Sequence, residues 1–243
     1  MENAAYIGLS RQITLRRQLD IVANNIANAE TTGFKVEQLL VSATPGRGAE
    51  NDGVRHSATF VMDNGVGRDF AQGQLRATQN PYDLAIEGAD AFFQVEGDRF
   101  TRAGAFTVDD QGRLTTAQGL PVLDAGGAEI TLDRQRGAPS IAADGTITQE
   151  GQAVGQIGLY RFPDLGVLAK EGDGFFRNTS NAQPEAAEGA RIRQGYLEGS
   201  NVNVLTEITE LVEIQRAYER ITRLIEQNTD LSRRSVERLG RVS

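Results

Sequence analysis

Residues 211–225 read LVEIQRAYERITRLI, and this stretch decides the fold of the 243-residue chain. Its large apolar residues recur at steps of three and four, and Ile208 lies one step before them: Leu211, Ile214, Tyr218, Ile221 and Ile225. An α-helix has 3.6 residues per turn, so this spacing places the side chains on one stripe of a helix. Asn201-Val202-Asn203 precedes the stripe and supplies a candidate N-cap. We predict that this helix runs to about Leu239.

The beginning of the chain carries a matching stripe. Leu15, Leu19, Val22 and Ile26 follow at steps of four, three and four, which predicts a helix over residues 3–28. Two apolar stripes at opposite ends of a sequence most economically pair with each other or with other chains. We therefore predict that both stripes, together with Ile208, form a subunit interface. The pattern indicates an assembling protein rather than an enzyme.

We predict an α+β fold. The two terminal helices pair in a coiled-coil-like helical domain, and the region between them forms a central all-β domain of the small barrel or sandwich type. Residues 1–35 hold the N-terminal helix, 36–75 an extended connector, 76–198 the β domain and 199–243 the C-terminal helix. Glycines interrupt any periodicity in the connector, in which residues 56–62 are a candidate strand.

Short strands are predicted throughout the central region. Residues 84–86 and 91–95 are two candidates, and residues 106–116 form a hairpin signal with glycine in the turn. Residues 141–147 form a second hairpin signal, and residues 154–160 are interpreted as one further strand. Strands this short, separated by turn signals, are typical of small barrels and sandwiches.

The charge distribution restricts the partners. Residues 1–40 hold four basic and four acidic side chains, and residues 199–243 hold seven of each. The net charge of −8 therefore lies in residues 41–198, where 14 basic residues accompany 22 acidic ones. An acidic middle argues against nucleic acid or an anionic membrane as partner. No apolar run is long enough to cross a membrane, so membrane insertion is not expected.

Residues that could support catalysis or bind a metal are sparse. The chain has no cysteine, which excludes thiolate chemistry and disulfides. His56 is the one histidine, in a glycine-rich segment with no nucleophile signature. A hydrolase that uses scattered acids such as Asp83, Asp109 and Asp144 is an alternative, but carboxylates beside glycine turns are usually turn residues. We expect no catalytic residue, metal site or cofactor.

The segment after the first stripe is rich in amides. Asn24, Asn25 and Asn28 lie within five positions, and Gly33 follows at a point where a positive φ can end or turn a helix. Two interpretations remain open for the asparagines. They mark a frayed helix end, or their side chains form hydrogen bonds across a packed interface.

At both ends these residues fall into recognisable motifs. Residues 19–28 with Thr32-Gly33-Phe34-Lys35, and residues 195–204 with 213–219, resemble the terminal signatures of bacterial flagellar rod and hook proteins. Residues 80–88 and 100–106 are similar to the β domain of that family. The positions that carry the two terminal motifs are Asn24, Asn25, Asn28, Gly33, Phe34, Asn201, Asn203, Gln215, Arg216 and Ala217.

This resemblance implies a structural protein without enzymatic activity. It implies an inner helical tube built from the terminal helices, with the β domain outside, and assembly with itself and other rod subunits in the periplasmic part of the basal body. It further implies recognition by the flagellar type III export apparatus, consistent with an N-terminus that lacks the features of a cleaved signal peptide. Length and residues 6–12 favour a proximal-rod subunit. A distal-rod subunit and, more remotely, a β-domain binding protein on a helical stalk are the alternatives.

Overall fold

A computed structural model describes residues 2–45, 59–88, 90–180 and 183–239 of the chain. His56 and the start of the candidate strand over residues 56–62 lie outside the described residues. The chain divides into two compact units. The first, called here the hairpin unit, comprises residues 1–27, 37–67 and 203–243, and the second, called the β unit, comprises residues 28–36 and 68–202.

Both terminal helices are present where the apolar stripes predict them. Helix α1 covers Glu2–Ala27 and helix α2 covers Val204–Leu239. A 3-10 helix, η1, covers Leu165–Val167. The strands are β1 (Glu37–Pro45), β2 (Thr59–Arg68), β3 (Leu75–Ala77), β4 (Leu84–Glu87), β5 (Ala91–Val95), β6 (Arg99–Thr101), β7 (Phe106–Val108), β8 (Leu114–Thr116), β9 (Ser140–Ile141), β10 (Thr146–Gln149), β11 (Gln152–Gln156), β12 (Leu159–Arg161), β13 (Leu168–Gly172), β14 (Phe175–Asn178), β15 (Glu185–Ala186), β16 (Arg191–Gln194) and β17 (Tyr196–Glu198). The protein is therefore α+β, as predicted.

The hairpin unit consists of the two helices and a small sheet. Strands β1 and β2 pair with each other. They lie in the predicted connector, which therefore holds two strands among its described residues. Helix α1 packs against α2 and also against β1.

The β unit is built on a six-stranded sheet with the order β13-β14-β6-β5-β12-β15. Neighbouring strands in it are antiparallel. The other sheets formed by the described residues of this unit are the three-stranded β11-β10-β9 and the pairs β16-β4, β17-β3 and β7-β8. The predicted hairpins over residues 106–116 and 141–147 are confirmed as β7-β8 and β9-β10.

Apolar side chains cover both faces of the six-stranded sheet. Successive side chains of a strand point to opposite faces. Phe93 and Phe175 join a large aliphatic cluster, while their neighbours Phe92 and Phe176 join a cluster of aromatic rings that includes Phe100. Phe92 and Phe93 are both fully buried. The β unit therefore has two cores, one on each side of its main sheet.

The prediction of a single strand over residues 154–160 is wrong. The segment is divided between β11, in the three-stranded sheet, and β12, in the six-stranded sheet. Gly158 lies between them, where a Cβ atom would lie 2.9 Å from the carbonyl oxygen of Asp124. The chain changes sheets at this close approach, which alternation of apolar residues does not reveal.

Candidate assembly surface

The two helices of the hairpin unit run antiparallel. Gln12 donates a hydrogen bond to Thr222, whereas Asn25 near the end of α1 donates one to Glu207 near the start of α2. The contact between the two helices is called here the seam. Leu15, Val22 and Ile214 form its centre and are 2%, 4% and 7% exposed. Each such side chain, when fully buried, contributes roughly 1.5–3 kcal/mol.

The seam accounts for most of the ten residues predicted as a subunit interface. Besides the three at its centre, five are half-buried and pack against them: Leu19, Ile26, Leu211, Tyr218 and Ile221. Ile225 lies beside Gly8, where an added Cβ atom would be 3.0 Å from its Cγ1. Ile208 is 44% exposed. Nine of the ten thus contact the partner helix of the same chain, and their role between subunits stays a prediction.

Each helix also carries apolar side chains on the face turned away from the seam. On α1, Tyr6, Leu9 and Ile13 are 66%, 49% and 63% exposed, and we call them the tip patch. On α2, Leu205, Ile208 and Val212 are 76%, 44% and 38% exposed, and we call them the root patch. The sequence prediction named Ile208 alone among these six. The signal was present, because both patches repeat the steps of three and four.

One asparagine of the amide-rich segment joins three elements of the hairpin unit. Asn25, 1% exposed, donates from Nδ2 to the carbonyl oxygen of Glu37 at 2.8 Å and to the Glu207 carboxylate at 3.0 Å. Its Oδ1 accepts from the backbone N–H of Glu37 at 3.0 Å. Asn25 therefore forms hydrogen bonds across a packed interface within the chain. Asn24 is exposed, and Asn28 Oδ1 accepts from the Thr31 hydroxyl.

The asparagines of the C-terminal motif have different tasks. Asn203 caps α2, because its Oδ1 accepts from the backbone N–H groups of Leu205 and Thr206. In the β unit, Asn201 Oδ1 accepts from the backbone N–H of Val36, and its Nδ2 donates to the carbonyl oxygens of Asp69 and Ala71.

The glycine of the N-terminal motif is required by its conformation and by close packing. Gly33 has φ +69°, and a Cβ atom there would lie 2.5 Å from the backbone nitrogen of Ala103. Its N–H donates to the carbonyl oxygen of Glu198 at 2.8 Å, and Phe34 accepts from Asn201 N–H. The two terminal motifs therefore meet in the β unit. Of the remaining motif positions, Gln215 and Arg216 are exposed, whereas Ala217 packs against the seam.

A buried ion network fixes the same meeting point. Glu198 accepts from Lys35 Nζ at 2.7 Å through Oε1 and from Arg102 at 2.6 Å through Oε2. All three side chains are inaccessible to solvent. Lys35 also donates to the carbonyl oxygen of Ala71, and Arg102 to that of Gly88, at 2.6 and 2.7 Å. Every charged group thus has a partner, as buried charges require.

Burial dominates the electrostatics of the two cations. Desolvation lowers the pKa of Lys35, and the attraction of Glu198 only partly opposes it. The pKa of Arg102 is lowered for the same reason. Two cations on one carboxylate leave a net positive charge inside the β unit, so the network depends on Glu198. Sequence reasoning missed it, although Lys35 and Glu198 lie within the terminal motifs and Arg102 within a β-domain motif.

The carboxylates considered for hydrolysis are turn and packing residues. Asp109 accepts from the backbone N–H groups of Gln111 and Arg113, and Asp144 accepts from that of Thr146. Asp83 accepts from the side-chain amide of Asn80. No cluster of three or more His, Cys, Asp or Glu side chains that could hold a metal ion occurs within residues 2–45, 59–88, 90–180 and 183–239. Neither described helix is long and apolar enough to span a membrane.

Three family models match the chain in order. They are the flagella basal body rod protein over residues 6–35, the flagellar hook protein FlgE/F/G D1 domain over 85–149, and the flagellar basal body rod FlgEFG protein C-terminal region over 193–238. The flagellar basal-body rod protein FlgF of Caulobacter vibrioides is 50% identical, with 100% of each chain covered. The chain belongs to the flagellar basal-body rod protein family.

Other relatives show the breadth of the similarity. FlgF of Mesorhizobium japonicum is 36% identical over 99% of each chain, and FlgG of Bacillus subtilis is 30% identical over 95% of this chain and 97% of its own. Members of the rod protein family are structural proteins and not enzymes, which confirms the prediction made from the helical ends.

The matched regions contain the contacts described above. The N-terminal model includes the tip patch, Asn25, Gly33 and Lys35, and the C-terminal model includes Glu198 and the root patch. The hydrogen bonds and the buried ion network at these motifs can stabilise the fold. The exposed apolar patches on the helices can pack against other protein surfaces.

Proposed function

We propose that this protein is a structural subunit of the proximal flagellar rod, which polymerises through its terminal helices to help form the axial drive shaft. One observation carries the proposal. Of the twelve large apolar side chains that are exposed among the described residues, eleven lie in the hairpin unit and only Val154 lies in the β unit. Exposed apolar side chains gathered on one structural unit mark an interaction surface.

The hairpin unit therefore supplies the assembly surface. The nine seam residues of the predicted interface hold α1 and α2 together in a coiled-coil-like pair, and the outward patches remain for neighbouring subunits. The β unit resembles a small sandwich-like domain, and it buries both of its cores without a partner. The net negative charge of the middle of the chain, which includes most of this unit, favours contact with solvent.

The family supports more specific proposals about partners and location. The partners are other rod subunits and further copies of this chain, in the periplasmic rod of the basal body. The flagellar type III apparatus exports the chain without a cleaved signal peptide. The N-terminal segment that such an apparatus would read is helical in the folded chain, so export requires this segment to be unfolded.

The proximal position rests on degree of similarity. FlgF of Caulobacter vibrioides is 50% identical to this chain, whereas FlgG of the same organism is 32% identical and covers 85% of it. A distal-rod subunit is the second candidate, because it shares both terminal motifs.

Image reconstruction of basal bodies purified from the native bacterium tests the proposal. We expect density for the chain in the membrane-proximal rod, with both helices on the inside. Density confined to the distal rod would establish the second candidate. Absence of the chain from purified basal bodies, together with normal motility after deletion of its gene, would contradict both.

A further inference from the structure

The two outward patches of the hairpin unit have the same length and spacing. Each consists of three apolar residues at steps of three and four, which extend over about 10.5 Å of helix at 1.5 Å per residue. This spacing forms one apolar stripe on each helix, of the kind through which two helices pack side by side. The tip patch and the root patch are therefore matched in size.

The charges around the patches are opposite. The helix turns around the tip patch hold only basic charges, and those around the root patch only acidic ones. The basic residues are Arg11, Arg16 and Arg17 on α1, and the exposed acidic residues are Glu210 and Glu213 on α2. Glu207, on the same turns of α2, is buried against Asn25 of its own chain and does not face outward. Residues 6–19 contain no acidic side chain, and residues 204–215 contain no basic one. Burial and the neighbouring carboxylates raise the pKa of Glu210. Facing arginines would relieve this repulsion.

The two patches lie at opposite ends of the hairpin unit. Gly8, within the tip region of α1, faces Ile225 of α2. Ile208 of the root patch lies 17 residues before Ile225, a distance of about 25 Å along the helix. The tip patch and the root patch of one chain therefore cannot cover each other.

We infer that the tip patch of one copy packs on the root patch of a second copy, so that arginines of the first face glutamates of the second. Contact between two tip patches or two root patches would oppose like charges, which disfavours a closed two-fold dimer. A contact between two different patches leaves one of each unoccupied at the ends, and because each copy is displaced along the helix axis, it continues as an open array rather than a closed ring. This inference rests on the proposed function and adds the residues and the direction of the contact.

The register of the contact follows from the hairpin. If all copies point the same way along an axis, α1 of one copy runs antiparallel to α2 of the next. Ile13 then meets Leu205, Leu9 meets Ile208, and Tyr6 meets Val212. Neighbouring copies are displaced along the helix axis by roughly 25 Å, the separation of the two patches.

The absence of native cysteine allows a direct test by disulfide formation. We would prepare the full chain as Ile13→Cys, as Leu205→Cys and with both changes, and oxidise each in assembled basal bodies and as concentrated purified protein. A disulfide requires Cα atoms within about 7 Å. The double variant should give a ladder of covalent dimers, trimers and longer species, whereas the single variants should give none alone and a dimer when mixed. Leu224→Cys with Leu205→Cys is the matched control on exposed apolar positions.

Covalent dimers of either single variant alone would overturn the inference, as would a ladder equally strong in the Leu224 control. Absence of any covalent product from three pairs (13 with 205, 9 with 208, 6 with 212) in material that contains the assembled variants would also overturn it.

Charge reversal supplies a second test that does not depend on cysteine. Arg16→Glu with Arg17→Glu should reduce incorporation by about tenfold or more, because like charges across an interface are strongly unfavourable. Glu210→Arg with Glu213→Arg should have the same effect, and all four changes in one chain should restore incorporation. Circular dichroism of each variant must match the native chain. If the variant with all four substitutions has intact helices but does not recover incorporation, the charge pairing is contradicted.

The result can be separated from the proposed function. If the chain is absent from basal bodies, the proposed function fails, and the ladder from the purified double variant still decides whether the patches pair. If the chain is present in the rod but the ladder is absent, the function stands and the inferred contact is wrong.

Discussion

The two units of this protein differ in how completely they bury their own apolar surface. The β unit encloses two cores, on opposite faces of one sheet, and exposes Val154 as its one large apolar side chain among the described residues. The hairpin unit has a single narrow seam centred on Leu15, Val22 and Ile214. Its two helices together expose nine large apolar side chains in the described part of the chain. One unit buries nearly all of its large apolar side chains within itself, and the other leaves many of them exposed, as the proposed assembly role requires.

This difference follows from how many faces of each element the chain can cover. Strands such as β5 bury side chains on both faces because the unit supplies apolar layers on each side of the sheet. A helix pair alone can bury only one stripe of each helix, and most helical stability in proteins comes from such packing. The apolar residues on the opposite stripes are therefore left exposed by the helix pair, and in the proposed function neighbouring subunits cover them.

The largest effect is expected in the buried ion network of the β unit. Glu198→Gln leaves Lys35 and Arg102 as buried cations without a counter-charge, which should lower the free energy of unfolding by about 3–5 kcal/mol. Amide hydrogen exchange of the buried strand β5 reports this change. The control is Glu171→Gln, which removes the solvent-accessible ion pairs with Arg99 and Arg177 and should cost under about 1 kcal/mol. Equal effects of the two substitutions would show that burial of the network is unimportant.

Substitutions in the seam and in the outward patches should have different effects, the first on stability and the second on assembly. Leu15→Ala removes a buried side chain and should destabilise the helix pair by about 2–5 kcal/mol. Leu205→Ala, at a position 76% exposed, should change monomer stability by under about 0.5 kcal/mol yet reduce assembly. Urea unfolding followed by circular dichroism at 222 nm and quantitative recovery of the chain in basal bodies measure the two effects. A Leu205→Ala variant that assembles normally would contradict the division of roles.

A smaller effect is expected at the amide that joins α1, β1 and α2. Asn25→Ala removes both hydrogen bonds to the Glu37 backbone and leaves those buried groups without a partner, a loss of about 1–3 kcal/mol. Asn24→Ala, at an exposed neighbouring position, is the matched control. Thermal unfolding of the two variants compares them, and indistinguishable midpoints would mean that the Asn25 contacts are dispensable.

The smallest effect concerns pH. The pKa of Glu210 in the folded chain is raised by burial and by Glu207 and Glu213, so the folded state holds this proton more tightly than the unfolded state. Stability from this group therefore falls as pH rises from the ordinary glutamate pKa through the raised value. Glu210→Gln should remove this slope and stabilise the hairpin unit at pH 7 by under about 1 kcal/mol. Thermal midpoints at pH 5 and pH 7 measure the slope, which would be unchanged in the variant if the assignment is incorrect.

Periodicity in the sequence predicts the two helices, but it does not predict which apolar residues remain exposed on them. Steps of three and four placed Leu15 and Ile214 on apolar stripes. Residue type and position predicted an asparagine cap within residues 201–203, and the structure assigns that cap to Asn203. The network of Lys35, Arg102 and Glu198 was missed because its members are far apart in sequence and charged side chains are normally exposed. The tip patch was missed because one helix can carry two apolar stripes, and spacing alone does not state which one faces the partner helix.

Amide hydrogen exchange on the monomer and on the assembled rod tests the contrast between the two units most directly. In a demonstrated monomer, the amides of α1 and α2 should exchange much faster than those of β5 and β6, because a single seam stabilises the helices. After assembly the helices should become as protected as the strands. Helices that are protected as strongly as the strands in the free monomer would show that the hairpin unit is already complete, and would contradict the account.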